Sequence, residues 1–319
     1  LLCFSISSTS QAAQGPTYTD PDKADADFAV QGEYAGTVHT ADGEISMGVQ
    51  VIALGKGTFR AVEYVGGLPG DGYNSDQDTS VADGLLKNGQ ASFRYEHTTA
   101  TVADGVYTAR DLDGHEMGKL KKVARKSPTL GKAPPASAIV LFDGTSADAF
   151  QGGKMTADGL LAEGTTSKRT FGDHRLHIEF RLPYQPQNRG QARGNSGIYL
   201  QGRYEVQMLD SFGLAGRHNE CGGIYERRAP DVNMCYPPLS WQTYDIDFTA
   251  ARYDRQGKLV ANPRMTVVHN GTVIHNDVEL PHDKPTRAAP NKAGADAGPV
   301  YLQNHGNPVR YRNIWVVEK

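Results

Sequence analysis

Apolar and polar residues alternate with a period of two through most of this chain, in short runs broken by glycine and proline. Alternation of that kind sends successive side chains to opposite faces and predicts strands, and no long stretch holds a helical period. Early in the chain, Met47 to Leu54 and Thr58 to Tyr64 read as an antiparallel pair around Gly55-Lys56-Gly57. Short strands are also predicted at Ala91–Tyr95, Gly105–Ala109 and Gly118–Val123. Ser127 to Pro135 then interrupts the pattern with prolines, which stiffen a chain and bury little. Beyond it, strands are predicted at Leu176–Leu182, Ser196–Leu200, Tyr204–Leu209, Thr243–Phe248, Val300–His305 and Val309–Val317. The clearest hairpin joins Met265–His269 to Thr272–His275 through Asn270-Gly271, which tolerates the positive φ angles of a type I′ turn.

This pattern predicts an all-β protein. A small β-rich accessory domain is expected over residues 13–126, a proline-rich linker over 127–138, and a two-sheet jelly-roll sandwich over 139–319, with a closed barrel as the other option for that last part. The 36 glycines and 17 prolines in 319 residues supply the turns such a fold needs. A net charge of −3 with scattered Lys and Arg argues against nucleic acid or anionic membrane as partners. No segment apart from the N-terminal end approaches the apolar length of a membrane span. There, Leu1 to Ile6 followed by Ser10-Gln11-Ala12 reads as the remnant of a signal peptide over residues 1–12, which predicts a secreted or periplasmic protein. In an oxidising compartment Cys221 and Cys235 are candidates for a disulfide, worth about 3 kcal/mol. Neither a CxxC pair nor a Cys/His spacing for zinc is present.

Candidate chemistry gathers in the last third. Glu205 and Gln207 share one face of a strand, and Asp210 joins them only if a bulge inserts one extra residue. Glu205 is the first choice for an acid/base or metal-binding carboxylate, Asp210 for a second, and Gln207 for a hydrogen bond to a sugar hydroxyl. His305 follows Gln303 on the strand from Tyr301, and an imidazole suits proton abstraction beside a carbonyl. Glu205, Asp210 and His305 could also hold a divalent cation, although no ligand spacing demands one. His269 and His275 flank the hairpin turn and are expected to be exposed, while Trp241 and Trp315 are expected in the core. Arg310 and Arg312 are expected in salt bridges, with Glu205 or Asp210 as partners. Asn270-Gly271-Thr272 matches a glycosylation sequon that the turn alone explains.

Several segments in order carry a family likeness: Leu141-Phe142-Asp143-Gly144, Asn195 to Tyr199, Tyr204 to Gln207, Asp210-Ser211, Cys221 to Tyr225, Trp241 to Tyr244, Val268 to Gly271, Gln303 to Val309 and Arg312 to Val316. Over about the last 180 residues the chain resembles the 3-keto-disaccharide hydrolase family, formerly a domain of unknown function. The resemblance implies a concanavalin A-like β-sandwich and a secreted enzyme acting on glycosides oxidised to a ketone at C3. It also implies roles in sugar binding for Asn195 and Tyr199, beside Gln207 and Gln303. A C3 ketone acidifies the C2 hydrogen, so a base can form an enolate that expels the aglycone from C1, and water then adds to the unsaturated sugar. On these readings the catalytic candidates are Glu205, His305 and Asp210. Two alternatives stand beside this one. Glu205 to Asp210 has the spacing of the Glu-x-Asp-x-x-Glu motif of retaining glucanases, with Gln207 and Asp210 replacing its second and third acids. A non-catalytic carbohydrate-binding protein is the other, because the same scaffold serves lectins.

Overall fold

The computed structural model describes residues 15–281 and 284–319, so the leader expected over residues 1–12 lies outside the described residues. Eight antiparallel strands close into a barrel: β1 (Gly32–Thr40), β2 (Gly43–Gly55), β3 (Thr58–Val65), β4 (Thr79–Lys87), β5 (Gln90–Arg94), β6 (Thr98–Ala103), β7 (Val106–Asp111) and β8 (Glu116–Val123). Closure comes from β1 pairing with β8, with Glu33 opposite Val123 and Val38 opposite Gly118. One residue in two points inward along each strand. The interior is filled by Tyr34, Val49, Val51, Phe59, Phe93, Tyr107 and Leu120, with alanines such as Ala53, Ala61 and Ala100 between them. A short helix, α1 (Ala26–Val30), precedes β1.

The rest of the chain forms a two-sheet sandwich. In chain order its strands are β9 (Ile139–Phe142), β10 (Phe150–Gln151), β11 (Leu161–Ala162), β12 (Thr165–Phe171), β13 (His174–Arg181), β14 (Ser196–Leu200), β15 (Tyr204–Met208) and β16 (Trp241–Thr249). After them come β17 (Arg252–Tyr253), β18 (Leu259–Ala261), β19 (Arg264–His269), β20 (Thr272–Glu279), β21 (Gly298–Leu302) and β22 (Arg310–Glu318). One sheet has the order β10-β12-β21-β14-β15, the other β11-β22-β13-β16-β19-β20 with β9 paired to β22, and β17 and β18 form a separate ribbon. Ile198, Leu200, Val206, Met208, Val300 and Leu302 of the first sheet meet Ile178, Phe180, Tyr244, Ile246, Val267 and Val316 of the second in one core. The all-β expectation holds, and the closed barrel belongs to the front unit rather than to the back one. At the hairpin, Asn270 and Gly271 both have positive φ, 50° and 86°, as a type I′ turn requires.

The two units share buried surface. Tyr184 and Leu239 of the sandwich pack into the barrel's core cluster. Ile52, Val62 and Tyr64 on the barrel's outer face close over Phe212. Residues 127–138 do not hang free. Ser127 Oγ lies 2.6 Å from Thr243 Oγ1, Thr129 Oγ1 donates to Asp245 Oδ2 at 2.7 Å, and the Gly131 amide donates to Glu179 Oε1 at 2.5 Å. This proline-rich stretch is bound along the outer face of the second sheet, because its hydroxyls and amides meet a row of polar side chains there.

Candidate active site

Strand β15 organises the site. Tyr204, Val206 and Met208 enter the sandwich core, so Glu205 and Gln207 must project from the opposite, open face. On the neighbouring β14, Tyr199 lies opposite Glu205 and Gly197 opposite Gln207. On the far side of β14, Tyr301 of β21 pairs with Tyr199, and the Gln303 amide donates to the Gly197 carbonyl at 2.9 Å. The free edge of β15 is covered by the 222–225 loop, where the Gln207 amide donates to Gly223 and the Gly222 amide to Gln207. A cavity of about 450 Å³ opens on this face. Its buried lining is Glu205, Gln207 and Asn195, and its more open wall includes Tyr225, Arg287, Tyr301, Gln303 and His305.

Glu205 is 2% exposed, and burial pushes its carboxyl up to about 8. The Tyr199 hydroxyl donates to Glu205 Oε2 at 2.7 Å and pulls the other way, while the nearby Glu226 carboxylate adds to the upward shift. Burial dominates because one hydrogen bond cannot replace the hydration of a carboxylate. At neutral pH Glu205 therefore carries its proton. Gly197 makes the room for it: a Cβ there would lie 2.0 Å from Glu205 Oε1. Tyr199 is itself fixed by Gln303, whose Nε2 donates to its hydroxyl at 3.2 Å.

A relay of amides lies beside the acid. Gln191 Nε2 donates to the Asn219 carbonyl at 2.8 Å, which turns Gln191 Oε1 inward. That oxygen accepts from Asn195 Nδ2 and from Gln207 Nε2, each at 3.1 Å. With their NH₂ groups so committed, Asn195 Oδ1 and Gln207 Oε1 are left as buried acceptors without a protein partner among the described residues. Buried acceptors in that condition are costly unless water or a ligand in the cavity supplies donors, and a sugar presents hydroxyl donors at close spacing. Asn307 steadies both sides of the site. Its Oδ1 accepts from the Gly194 amide at 3.0 Å and its Nδ2 donates to the His305 carbonyl at 3.0 Å.

The cavity therefore brings together Glu205, Gln207, Asn195, Gln303 and His305, with Tyr199 bonded to Glu205. His305 lies on a bend beyond Leu302, where β21 ends, rather than on the strand expected to reach it. Among the described residues its ring has no hydrogen-bond partner. Asp210 does not join the group. Strand β15 ends at Met208 without a bulge, and Asp210 turns away to accept from Arg193 Nε at 2.6 Å, with both side chains buried. Asp210 is thus corrected from a catalytic or metal-binding candidate to the partner of a buried guanidinium. The cation set Glu205, Asp210 and His305 is not assembled. Among the described residues, the group of three that could hold a metal is Asp111, Asp113 and His115, in the barrel's β7–β8 turn. Cys221 and Cys235 are free buried thiols, not a disulfide. They lie beside each other, with Cys221 Sγ 3.3 Å from the Tyr244 hydroxyl.

Other expectations need correcting too. His269 and His275 are fully buried, His269 against Gln242 Oε1 at 3.0 Å and His275 against the Gly222 carbonyl at 2.7 Å. The first is buried beneath Phe180 and Tyr244 on the core side of the hairpin. Arg310 and Arg312 form salt bridges with Glu163 and Glu179, not with Glu205 or Asp210. Asn270, the sequon residue, is buried and donates to the Met234 carbonyl. Sequence reasoning missed Gln191, which lies in a loop with no periodic pattern. Asn307 lay within a quoted motif, and its flanking Gly306-Asn307-Pro308 turn was the available signal.

Three other depressions among the described residues are larger but lack this chemistry. One of about 620 Å³ lies between barrel and sandwich, one of about 580 Å³ lies on the barrel beside Phe59 and Phe93, and one of about 480 Å³ lies under residues 132–137. Beside the last, His177 Nδ1 lies 2.9 Å from Asp245 Oδ1 and Glu179 accepts from Arg312. His177 is 0% exposed, with its ring stacked on Trp315, so its imidazole is shut off from that depression. It holds residues 127–133 in place.

Comparison with known proteins places the family likeness in the second unit. The sequence model of the 3-keto-alpha-glucoside-1,2-lyase-like domain matches residues 137–317, which is the sandwich without the barrel. A crystal structure from Parabacteroides distasonis ATCC 8503, provisionally named a glycosyl hydrolase, is 35% identical with a TM-score of 0.52, over 58% of this chain and 85% of that one. Two further structures from the same organism with the same provisional name are 15% and 18% identical, with TM-scores of 0.42 and 0.40. Each covers 57% of this chain, against 94% and 99% of theirs. No curated protein matches the chain in sequence.

Proposed function

The chain belongs to the 3-keto-alpha-glucoside-1,2-lyase-like family, and on that premise we propose that it cleaves glycosides whose sugar carries a ketone at C3. The observation that carries the proposal is the buried Glu205 carboxyl, held protonated at neutral pH beside two unpartnered acceptors. His305, at the open side of the same cavity, takes the hydrogen from C2. The C2–H pair of electrons forms the C1=C2 double bond, the C1–O bond breaks, and Glu205 gives its proton to the leaving oxygen. Water then adds across C1=C2, returning a hydroxyl to C1 and a hydrogen to C2. Asn195 Oδ1 and Gln207 Oε1 accept sugar hydroxyls and set the ring over the acid, while Tyr199 and Gln303 fix the Glu205 carboxyl. No step is routed through a cation, because Asp210, one of the three residues expected to hold one, is turned away to Arg193.

A retaining glycosidase needs two carboxyls about 5–5.5 Å apart. Glu205 is the one carboxyl among the described residues lining this cavity, which disfavours that reading. Incubation with a 3-keto-glucoside and with its unoxidised parent tests the proposal. The keto sugar alone should be cleaved, with transient near-ultraviolet absorbance from the C1=C2–C3=O product. Cleavage of the parent, or binding without turnover of either, would refute it. Export to the periplasm or medium is part of the proposal, supported by the apolar start Leu1–Ile6 and the Ser10-Gln11-Ala12 site. N-terminal sequencing of the mature protein should find residues 1–12 removed, and an intact start would overturn that part.

A further inference from the structure

The barrel lies outside the stretch matched by the family, yet it touches the loop that carries two of the cavity's polar residues. Between β13 and β14 the chain leaves the sandwich, runs along the barrel from Leu182 to Arg193, and returns to the cavity at Asn195. Tyr184 is inserted into the barrel core, and its backbone pairs with Tyr18. Arg189 Nη2 donates to the Leu54 carbonyl at 2.9 Å, at the end of β2. Arg193 Nη1 donates to the Ala53 carbonyl at 3.2 Å, while its Nε is bonded to Asp210. Gln191 and Asn195 each lie two residues from Arg193. The Arg193 carbonyl accepts from the Asp210 amide, so the guanidinium and the backbone of this turn are pinned to the same residue.

We infer that the barrel is a positioning element of the sugar site, and that Arg193, clamped between Asp210 and the Ala53 carbonyl, sets the placement of Gln191 and Asn195. The inference rests on the reading of the cavity as a keto-glycoside site. Arg193 touches neither substrate nor reacting atoms. Its effect passes through the two amides, so it belongs to binding of the sugar rather than to proton transfer from Glu205. Arg189, exposed and bonded to the adjacent carbonyl, contributes the same restraint more weakly.

Arg193→Met, Arg193→Lys and Arg189→Met in the full chain test this. With a 3-keto-glucoside as probe, Arg193→Met should raise KM about tenfold, while the alkaline limb of the rate profile stays in place. Arg193→Lys, which keeps a charge opposite Asp210, should recover part of the loss. Hydrogen exchange should quicken at residues 190–195 and stay unchanged in the β1–β8 core. An unaltered KM with only a lower melting temperature, or faster exchange throughout both units, would overturn the inference. If Arg193→Met does not fold, Arg189→Met carries the test, with about a threefold rise in KM and faster exchange confined to the same loop. The exchange measurement needs no substrate. An inactive wild type therefore sinks the reading of the cavity, whereas unchanged exchange at 190–195 sinks the role given to the barrel.

Discussion

Replacing Glu205 with Gln should make the protein less active and, at neutral to alkaline pH, more stable. The folded carboxyl titrates near 8 against an ordinary value of 4.5, because burial removes its hydration. Between those two values the folded state holds a proton that the unfolded chain has released. Its contribution to stability is therefore full below pH 4.5 and is lost as pH rises through 8. Most of that contribution, on the order of 4 kcal/mol, is present at pH 5 and nearly all of it is gone at pH 8, so wild type should lose about 3–4 kcal/mol across that interval through this group alone. Glutamine cannot titrate. Its extra N–H leaves a buried donor without an assigned partner, at a cost of about 1–3 kcal/mol, but that cost is the same at every pH. Urea unfolding of wild type and Glu205→Gln at pH 5, 6, 7 and 8 isolates the titrating part. The gap between the curves should shift by about 3–4 kcal/mol in favour of the variant as pH rises. Parallel curves would show that Glu205 is not held protonated, and the acid role assigned to it would fail.

Gly197→Ala would put a methyl 2.0 Å from Glu205 Oε1, so turnover should drop about a hundredfold with the fold retained in circular dichroism. Full activity in that variant would contradict the carboxyl's placement. Gln191→Leu removes the acceptor shared by Asn195 and Gln207 and should raise KM about tenfold in steady-state assays, and an unchanged KM would remove the amide relay from substrate binding. His269, wholly buried, is pushed down to about 3, so the folded state resists a proton that the unfolded chain takes up below 6.5. Stability from this group is present above pH 6.5 and is lost as pH falls toward 3, about 2–3 kcal/mol by pH 4.5. Acid unfolding of His269→Gln should be correspondingly shallower, and an identical acid profile would count against that burial.

Much of the fold was legible because half-buried strands announce themselves locally. β5 alternates exposed and buried from Gln90 to Arg94, and Asn270-Gly271 names its own turn. Closure of the barrel was not, since it depends on Glu33 meeting Val123 across the whole unit, with no local signal. Prolines in 127–138 suggested a stiff linker that buries little, but its partners Thr243, Asp245 and Glu179 are distant in sequence and their polarity reads locally as solvent exposure. The same blindness misplaced His269 and His275. In the site, the shared face of Glu205 and Gln207 followed from strand periodicity alone. Asp210 failed because a strand that stops at Met208 no longer obeys that period, and Gln191 was invisible because a loop amide acquires its role only from what it touches.

The central claim is that the C2–H bond is broken during cleavage. Brief turnover of a 3-keto-glucoside in D₂O, read by mass spectrometry against an enzyme-free control, tests it directly. Elimination followed by hydration places one solvent deuteron at C2 of the released sugar, and Glu205→Gln should suppress its formation. Released sugar with hydrogen still at C2 would mean direct displacement at C1, and the mechanism proposed for this cavity would be wrong.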